Sequence, residues 1–211
     1  MGRRSDHSRT ELREIIISEG HRHMHEVGFA HFSAREVAKR VGYSIGTVYN
    51  VFGSYDALIL AINGRTLELW LDFLEGRLAA LDPGGDRLAR AIDAYFEFAI
   101  INRHAWAAIY DFRLPDDVEP PDYYWEKVSA IIAVVEREIA ALLPASHLAE
   151  APALTRSLLA TVHGHCAFTL NGTFRMLEES DPLAAARARV ADALAGMNEH
   201  TRLRPCKPRE G

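Results

Sequence analysis

Apolar residues recur along this chain at helical spacing almost from its start. Leu12, Ile15, Ile16, Met24 and Val27 fall on one face of a 3.6-residue period, opened by Ser8 with Glu11 three residues on and closed at Gly28. Ser33 with Glu36 repeats the capping signature and opens a short helix through Arg40, ended by Gly42. Ser44 caps a third helix to Phe52, and Ser54, with Asp56 in the first turn, a longer fourth one to about Gly76. The strongest breaker follows at Asp82-Pro83-Gly84-Gly85.

Beyond it, Leu88, Ile92, Tyr95 and Ala99 define another apolar stripe, and a bend at Asn102-Arg103-His104 leads into a short helix ending near Phe112. An acidic, proline-bearing loop covers Leu114 to Pro121. Further helices are expected from Asp122 to Leu143, from about Ala153 to Leu177, and from Pro182 to about Leu203. No alternating β-branched run bounded by hairpin turns interrupts this pattern. The expectation is an all-α fold of about nine helices: a small N-terminal domain over 1–55 with a two-helix unit at 33–52, a helical body over 56–204, and a disordered tail over 205–211.

Composition narrows the function classes. The 211 residues are 48% hydrophobic, enough for a sizeable core. Cys166 lies in an apolar stretch and Cys206 in an Arg- and Pro-rich tail, so no disulfide framework is expected and a reducing cytoplasm fits. No apolar run approaches the roughly 20 residues of a membrane span, and the first residues have no signal-peptide core. The net charge of -5 is unevenly spread, with residues 1–55 slightly basic and the remainder acidic. One end of the molecule is therefore suited to phosphate.

Two short helices joined by Val41-Gly42-Tyr43-Ser44 form a candidate helix-turn-helix. Val37, Ala38, Val41, Val48 and Phe52 make the packing side, with Gly42 supplying a left-handed turn. Ser33, Arg35, Lys39, Ser44, Thr47, Tyr49 and Asn50 point outward as hydroxyl, amide and cationic groups that meet phosphates and base edges. The sequence Gly28-Phe29, Ala38, Val41-Gly42, then Ser44-x-Gly46-Thr47-Val48-Tyr49-x-x-Phe52, then Leu58, resembles the TetR family of bacterial regulators. The likeness implies that Ser33 and Tyr49 hold the DNA backbone while Arg35, Ile45, Gly46, Thr47 and Asn50 lie at the groove. Tyr55 stands where the family often carries a phosphate-binding lysine, so affinity is expected to lean on Arg3, Arg4, Arg9, Lys39 and the backbone amides at the Ser54 cap.

The resemblance implies a homodimer on a palindromic double-stranded operator, released by a small-molecule effector. Transcriptional activation and effector-independent binding are the alternatives. A Val162-His163-Gly164 run resembles a signature of one group of TetR-type sensing domains. Apolar walls with a few polar groups suit a ligand cavity, and His104, Tyr110, Trp125, His163, Phe168 and Asn171 are its candidate lining. Stripes carrying Leu158, His165 and Gly172 on one helix and Val190, Leu194 and Met197 on the last are the candidate dimer seam. His21, His23 and His25 do not share one helix face, so a Glu19–His23 pair is expected rather than a metal site. No cofactor is implied. Neither nucleophile elbow, phosphate loop nor paired metal motif is present to support an enzyme.

Overall fold

The computed structural model describes residues 7–81 and 86–202, with side chains through Met197. Arg3, Arg4, the Asp82–Gly85 break, Cys206 and the tail at 205–211 lie outside the described residues. Within them the fold is all-α. Ten helices are described, nine of them seven residues or longer, and no strand occurs among the described residues. In chain order they are α1 (Arg9–Val27), α2 (Ala34–Arg40), α3 (Ile45–Phe52), α4 (Tyr55–Ala79), α5 (Arg87–Ile101), α6 (Arg103–Asp111), α7 (Asp122–Ala140), α8 (Ala151–Leu170), α9 (Thr173–Met176) and α10 (Pro182–Arg202). Short 3-10 segments at Phe29–His31 and Ala145–Glu150 link α1 to α2 and α7 to α8.

Backbone contacts divide the chain into two compact units, one of residues 1–72 with 101–129 and one of 73–100 with 130–211. The chain therefore crosses between them three times. A single crossing through the fourth helix is not what the contacts give, because α6 packs on α1 and buries Ala105 and Ala108 in the same cluster as Leu12, Ile16, Met24, Val37, Val48 and Leu58.

The first unit is built outward from that cluster. Gly20 lets α1 approach α4 so closely that a Cβ there would lie 2.6 Å from Ile62 Cδ1. At the end of α1, Gly28 takes φ +75°, its N–H donating to Met24 O at 2.9 Å, and the His104 ring of α6 rests beside it. His104 Nδ1 lies 3.0 Å from the His25 carbonyl, so this nitrogen carries the proton and donates. Trp70 and Trp106 meet edge to face at 5.9 Å within the unit, and Asn63, 1% exposed, donates its amide to Ala108 O at 3.2 Å.

The second unit has its own buried set, including Leu74, Leu88, Ile92, Tyr95, Phe98, Val134, Ile139, Leu158, Val162, Cys166, Ala186 and Val190. Its most extensive helix pairing is α8 with α10. Glu138 is 6% exposed and held by Arg87 through two bonds of 2.7 and 3.1 Å. The ion pair holds the Glu138 carboxyl below its ordinary range.

One helix differs from expectation. The segment read as a single helix from Ala153 to Leu177 stops at Leu170, because Gly172 turns left-handed at φ +80° and Asn171 Oδ1 accepts from the Thr173 N–H at 2.9 Å. A four-residue helix, α9, follows. Gly172 thus leaves the stripe that the helical period assigned it.

Candidate nucleic-acid interface and sensing residues

The first and third helix caps form as the sequence predicts. Ser8 Oγ accepts from the Glu11 N–H, and Glu11 returns the bond to the Ser8 N–H at 2.8 Å. Ser44 Oγ accepts from the Thr47 N–H at 3.1 Å and lies 2.9 Å from the Thr47 hydroxyl. The box expected at Ser33 is only half made. Ser33 Oγ accepts from the Glu36 N–H, while the Glu36 carboxylate turns to Arg40 at 3.3 Å.

The turn between α2 and α3 is Val41-Gly42-Tyr43-Ser44 as read, with Gly42 at φ +79°. It fixes α3 with Val48 fully buried beneath it. Six of the sequence-selected residues around it are exposed: Arg35, Lys39, Ser44, Gly46, Asn50 and Tyr49, the last at 38%. Ser33, Ile45, Thr47 and Tyr55 are half-buried. Ile45 and Tyr55 also pack on the core, Tyr55 with its ring 6.4 Å from Phe32, and burial raises the Tyr55 phenol. Arg35 makes no ion pair among the described residues, whereas Lys39 lies 3.7 Å from Glu36.

Arginines counted by charge alone prove to do different things. Arg40 is bound by Glu26 at 2.7 Å, Glu19 at 3.3 Å and Glu36 at 3.3 Å, tying α2 to α1. Glu26 is held below its ordinary carboxylate range by that bond. The expected Glu19–His23 pair does not form. Glu19 instead takes Arg22 and Arg40, while His23, 4% exposed, stacks 5.5 Å from Phe32 and accepts from the Ser33 N–H through Nε2 at 3.4 Å. A buried ring facing an aromatic is out of reach of a carboxylate that has two guanidinium partners at the surface. Arg9 donates to the Asn50 carbonyl at 3.4 Å and Arg13 lies over the Phe52 ring at 5.4 Å, so the first turns of α1 hold the last turn of α3. These pairs are some forty residues apart in sequence, and no local spacing announces them.

The candidate sensing residues fall in both units. His104, Tyr110 and Trp125 belong to the first: His104 is docked on the end of α1, Tyr110 packs edge to face on Trp106 at 5.9 Å, and Trp125 is 50% exposed. His163, Phe168 and Asn171 belong to the second. Phe168 packs on Phe174 at 5.5 Å, and Asn171 spends its carbonyl oxygen on Thr173. His163 Nδ1 lies 2.9 Å from the Tyr95 hydroxyl, and burial lowers the imidazole below its ordinary value. The helical period places Tyr95 on an apolar stripe, and it is not among the candidate lining residues.

Of the candidate seam residues, Leu158 and Val190 are 5% and 3% exposed within the single chain. His165, Gly172, Leu194 and Met197 are half-buried, and His165 Nδ1 donates to Thr161 O at 2.8 Å. Burial pushes the Cys166 thiol up to about 12. Among the described residues no three His, Cys, Asp or Glu side chains are grouped to hold a metal ion, and no single helix is long and apolar enough to cross a membrane.

Comparison with known proteins bears on this geometry. A family model for bacterial regulatory proteins of the tetR family matches residues 16–62, and one for a tetracyclin repressor-like C-terminal domain matches residues 88–194. No curated protein matches the chain. Among solved structures, a protein of unknown function from Rhodococcus sp. RHA1 is 18% identical, with a TM-score of 0.68 over 93% of this chain and 99% of that one. A tetR-family transcriptional regulator from Streptomyces coelicolor is 20% identical, with a TM-score of 0.62 over 96% of this chain and 89% of its own. The multidrug binding protein EbrR, solved with imidazole, is 20% identical with a TM-score of 0.54 over the whole of both chains. At these identities the structures share the fold. The family models, one covering more than half of the chain, carry the assignment: this protein belongs to the TetR family and is a DNA-binding transcriptional regulator of the helix-turn-helix type.

Proposed function

We propose that the chain is a cytoplasmic, homodimeric repressor that leaves a palindromic operator when a small molecule binds its second unit, acting by binding and not by catalysis. The observation that carries the DNA side is α3 itself. Its hydroxyl and amide groups are exposed on a helix capped by Ser44, floored by Val48 and held at its last turn by Arg9 and Arg13. A rigid helix presenting such groups costs little to order on a major groove. Ser33, Arg35, Lys39, Ser44, Ile45, Gly46, Thr47, Tyr49, Asn50 and Tyr55 are the contacts of this reading. A palindrome needs two such helices about 34 Å apart, hence two copies of the chain.

On the sensing side, the Tyr95–His163 pair supports a polar anchor within apolar walls. A neutral imidazole and a phenol offer both donor and acceptor to a ligand. Release then runs through α6 as well as α4, since α6 packs on α1 and His104 holds the His25 carbonyl.

Selection of bound duplexes from a random pool tests the reading. It should return an inverted repeat with half-sites about one DNA turn apart, bound by two chains. Bound sequences without two-fold symmetry, or one chain per duplex, would overturn it. Screening small molecules for loss of that complex then tests release.

A further inference from the structure

No residue of α3 is charged, and the end of it that follows the turn has little polar chemistry to spare. Its two hydroxyls are turned on each other: Ser44 Oγ accepts from the Thr47 N–H at 3.1 Å and lies 2.9 Å from Thr47 Oγ1. Between them, Gly46 is exposed and has no side chain. The fold does not ask for a glycine at this position. Its backbone is not left-handed, and a Cβ would meet only Ser44 Oγ, at an ordinary contact distance of 3.6 Å. Ile45 is the first helical residue of α3. Part of its side chain packs on the buried cluster that includes Val48, and the rest stays open, since the residue is only half-buried.

In a helix-turn-helix the first residues of the second helix meet base edges in the major groove. Those edges differ in what an isoleucine can do with them. Adenine, guanine and cytosine present hydrogen-bonding groups there, whereas thymine adds a 5-methyl group. A hydrogen-bonding edge pressed against Ile45 gives up water and gains no partner, which costs free energy. The thymine methyl instead leaves water together with the open part of Ile45, which is favourable. For that contact the base edge has to come close to the helix backbone. A glycine that its own chain does not require, exposed beside Ile45, is the residue that permits such an approach.

We infer that Ile45 is a specificity-determining residue that reads the 5-methyl group of a thymine in each half-site, and that Gly46 is kept bare so that the base edge can reach it. The inference rests on the DNA side of the proposed function and gives one base pair of the operator its chemistry.

Replacing thymine by deoxyuridine tests it, because the exchange removes the methyl and leaves every hydrogen-bonding group of the base pair in place. In an operator recovered by selection, each thymine is exchanged in turn, symmetrically in both half-sites, and the duplexes are titrated with the full chain by anisotropy at one salt concentration. At one position affinity should fall about fourfold per methyl, about fifteenfold for the pair. Ile45→Ala should bind the thymine and deoxyuridine duplexes alike. Both duplexes are compared on the same protein, so any stability lost on truncating a half-buried residue cancels from their ratio. Gly46→Ala is the second measurement. Its Cβ has room and alanine favours the helix, so the melting temperature should hold or rise. Operator affinity should nonetheless fall by about tenfold, comparable to a mismatched base pair. An operator in which no exchange to deoxyuridine weakens binding, or an effect that persists undiminished in Ile45→Ala, overturns the thymine contact and leaves DNA binding standing. A Gly46→Ala chain that binds like wild type overturns the close approach on which the contact depends. A chain that selects no sequence at all overturns the DNA side of the proposed function and the thymine contact together.

Discussion

At the scale of single residues, Arg9, Arg13, Arg22 and Arg40 of the first two helices have partners within the fold, while Arg35 makes no ion pair among the described residues and is the one that the proposed reading sets against DNA. Arg40 has three carboxylates, so Arg40→Ala should lower the melting temperature by leaving Glu19, Glu26 and Glu36 crowded without their cation. Arg35→Ala should leave it unchanged and weaken operator binding by about 1–3 kcal/mol, with relaxed base preference. Melting curves beside anisotropy titrations check both, and a stable Arg40 variant with poor DNA affinity would reverse the assignment. Tyr49→Phe, removing one hydroxyl, should weaken all duplexes alike by about 0.5–1.5 kcal/mol. Thr47→Ala is less clean than its position implies, since the hydroxyl lies 2.9 Å from the capping Ser44.

His21 gives the residue scale a pH dependence. Burial, then the charges of His25 and Arg65, lower its pKa from 6.5 to about 4, and its Nε2 is buried without a partner. The unfolded chain takes the proton near 6.5 and the folded one only near 4. Stability from this group is therefore whole above 6.5, falls as the pH drops toward 4 and is flat below. Allowing for solvent around the ring, the loss is on the order of 1–2 kcal/mol. Urea unfolding at pH 7.5 and 4.5 should show His21→Leu losing less than wild type by that amount. Equal losses would mean that the ring takes its proton without leaving its place.

At the scale of elements, α1 meets α4 tightly at Gly20. Gly20→Ala gains helix propensity but drives a Cβ into Ile62, a fully buried side chain, so a net loss of about 1–2 kcal/mol is expected. Ile62→Val removes the atom in the way, and the double variant should be more stable than the sum of the two single changes allows. Additive chemical denaturation would place the closest contact elsewhere. Nothing in the sequence marks Gly20, because a glycine inside a helical period carries no sign of what faces it. Caps and turns were legible for the opposite reason. Ser8, Ser44 and Gly42 act on backbone groups within a few residues, and the local sequence holds all the participants. The Ser33 box failed in half because the Ser33 N–H goes to His23, ten residues earlier, while Glu36 turns to Arg40 one turn on. The break of α8 was legible in principle from Asn171-Gly172, but the apolar period running through to Met176 outweighed it.

At the scale of the whole molecule, the helical pattern was enough for the class of fold and for the helix-turn-helix, while the return of 101–129 to the first unit was not. That return depends on Ala105 and Ala108, whose small size suits close packing yet looks like any other alanine in a list of residues. The same limit applies to the seam residues. Val190 is 3% exposed in the single chain, so Val190→Asp should abolish the cooperative thermal transition outright, at several kcal/mol, before oligomeric state can be asked about. Leu194→Arg, at a half-buried position, should keep a cooperative transition and scatter light as a monomer if α10 lies in the dimer seam. A dimeric Leu194→Arg would move the seam away from this face of α10.

All three tryptophans of the chain, Trp70, Trp106 and Trp125, belong to the first unit, two of them packed edge to face and the third half open to solvent. Intrinsic indole fluorescence is therefore a private channel to the DNA-binding side, and the second unit contributes only tyrosine emission to it. An effector seated beside Tyr95 and His163 has no indole within its own unit to perturb. A change in emission near 340 nm on adding an effector would report on the indoles of the first unit, and its time course in a stopped-flow mixer would follow that response with no label attached.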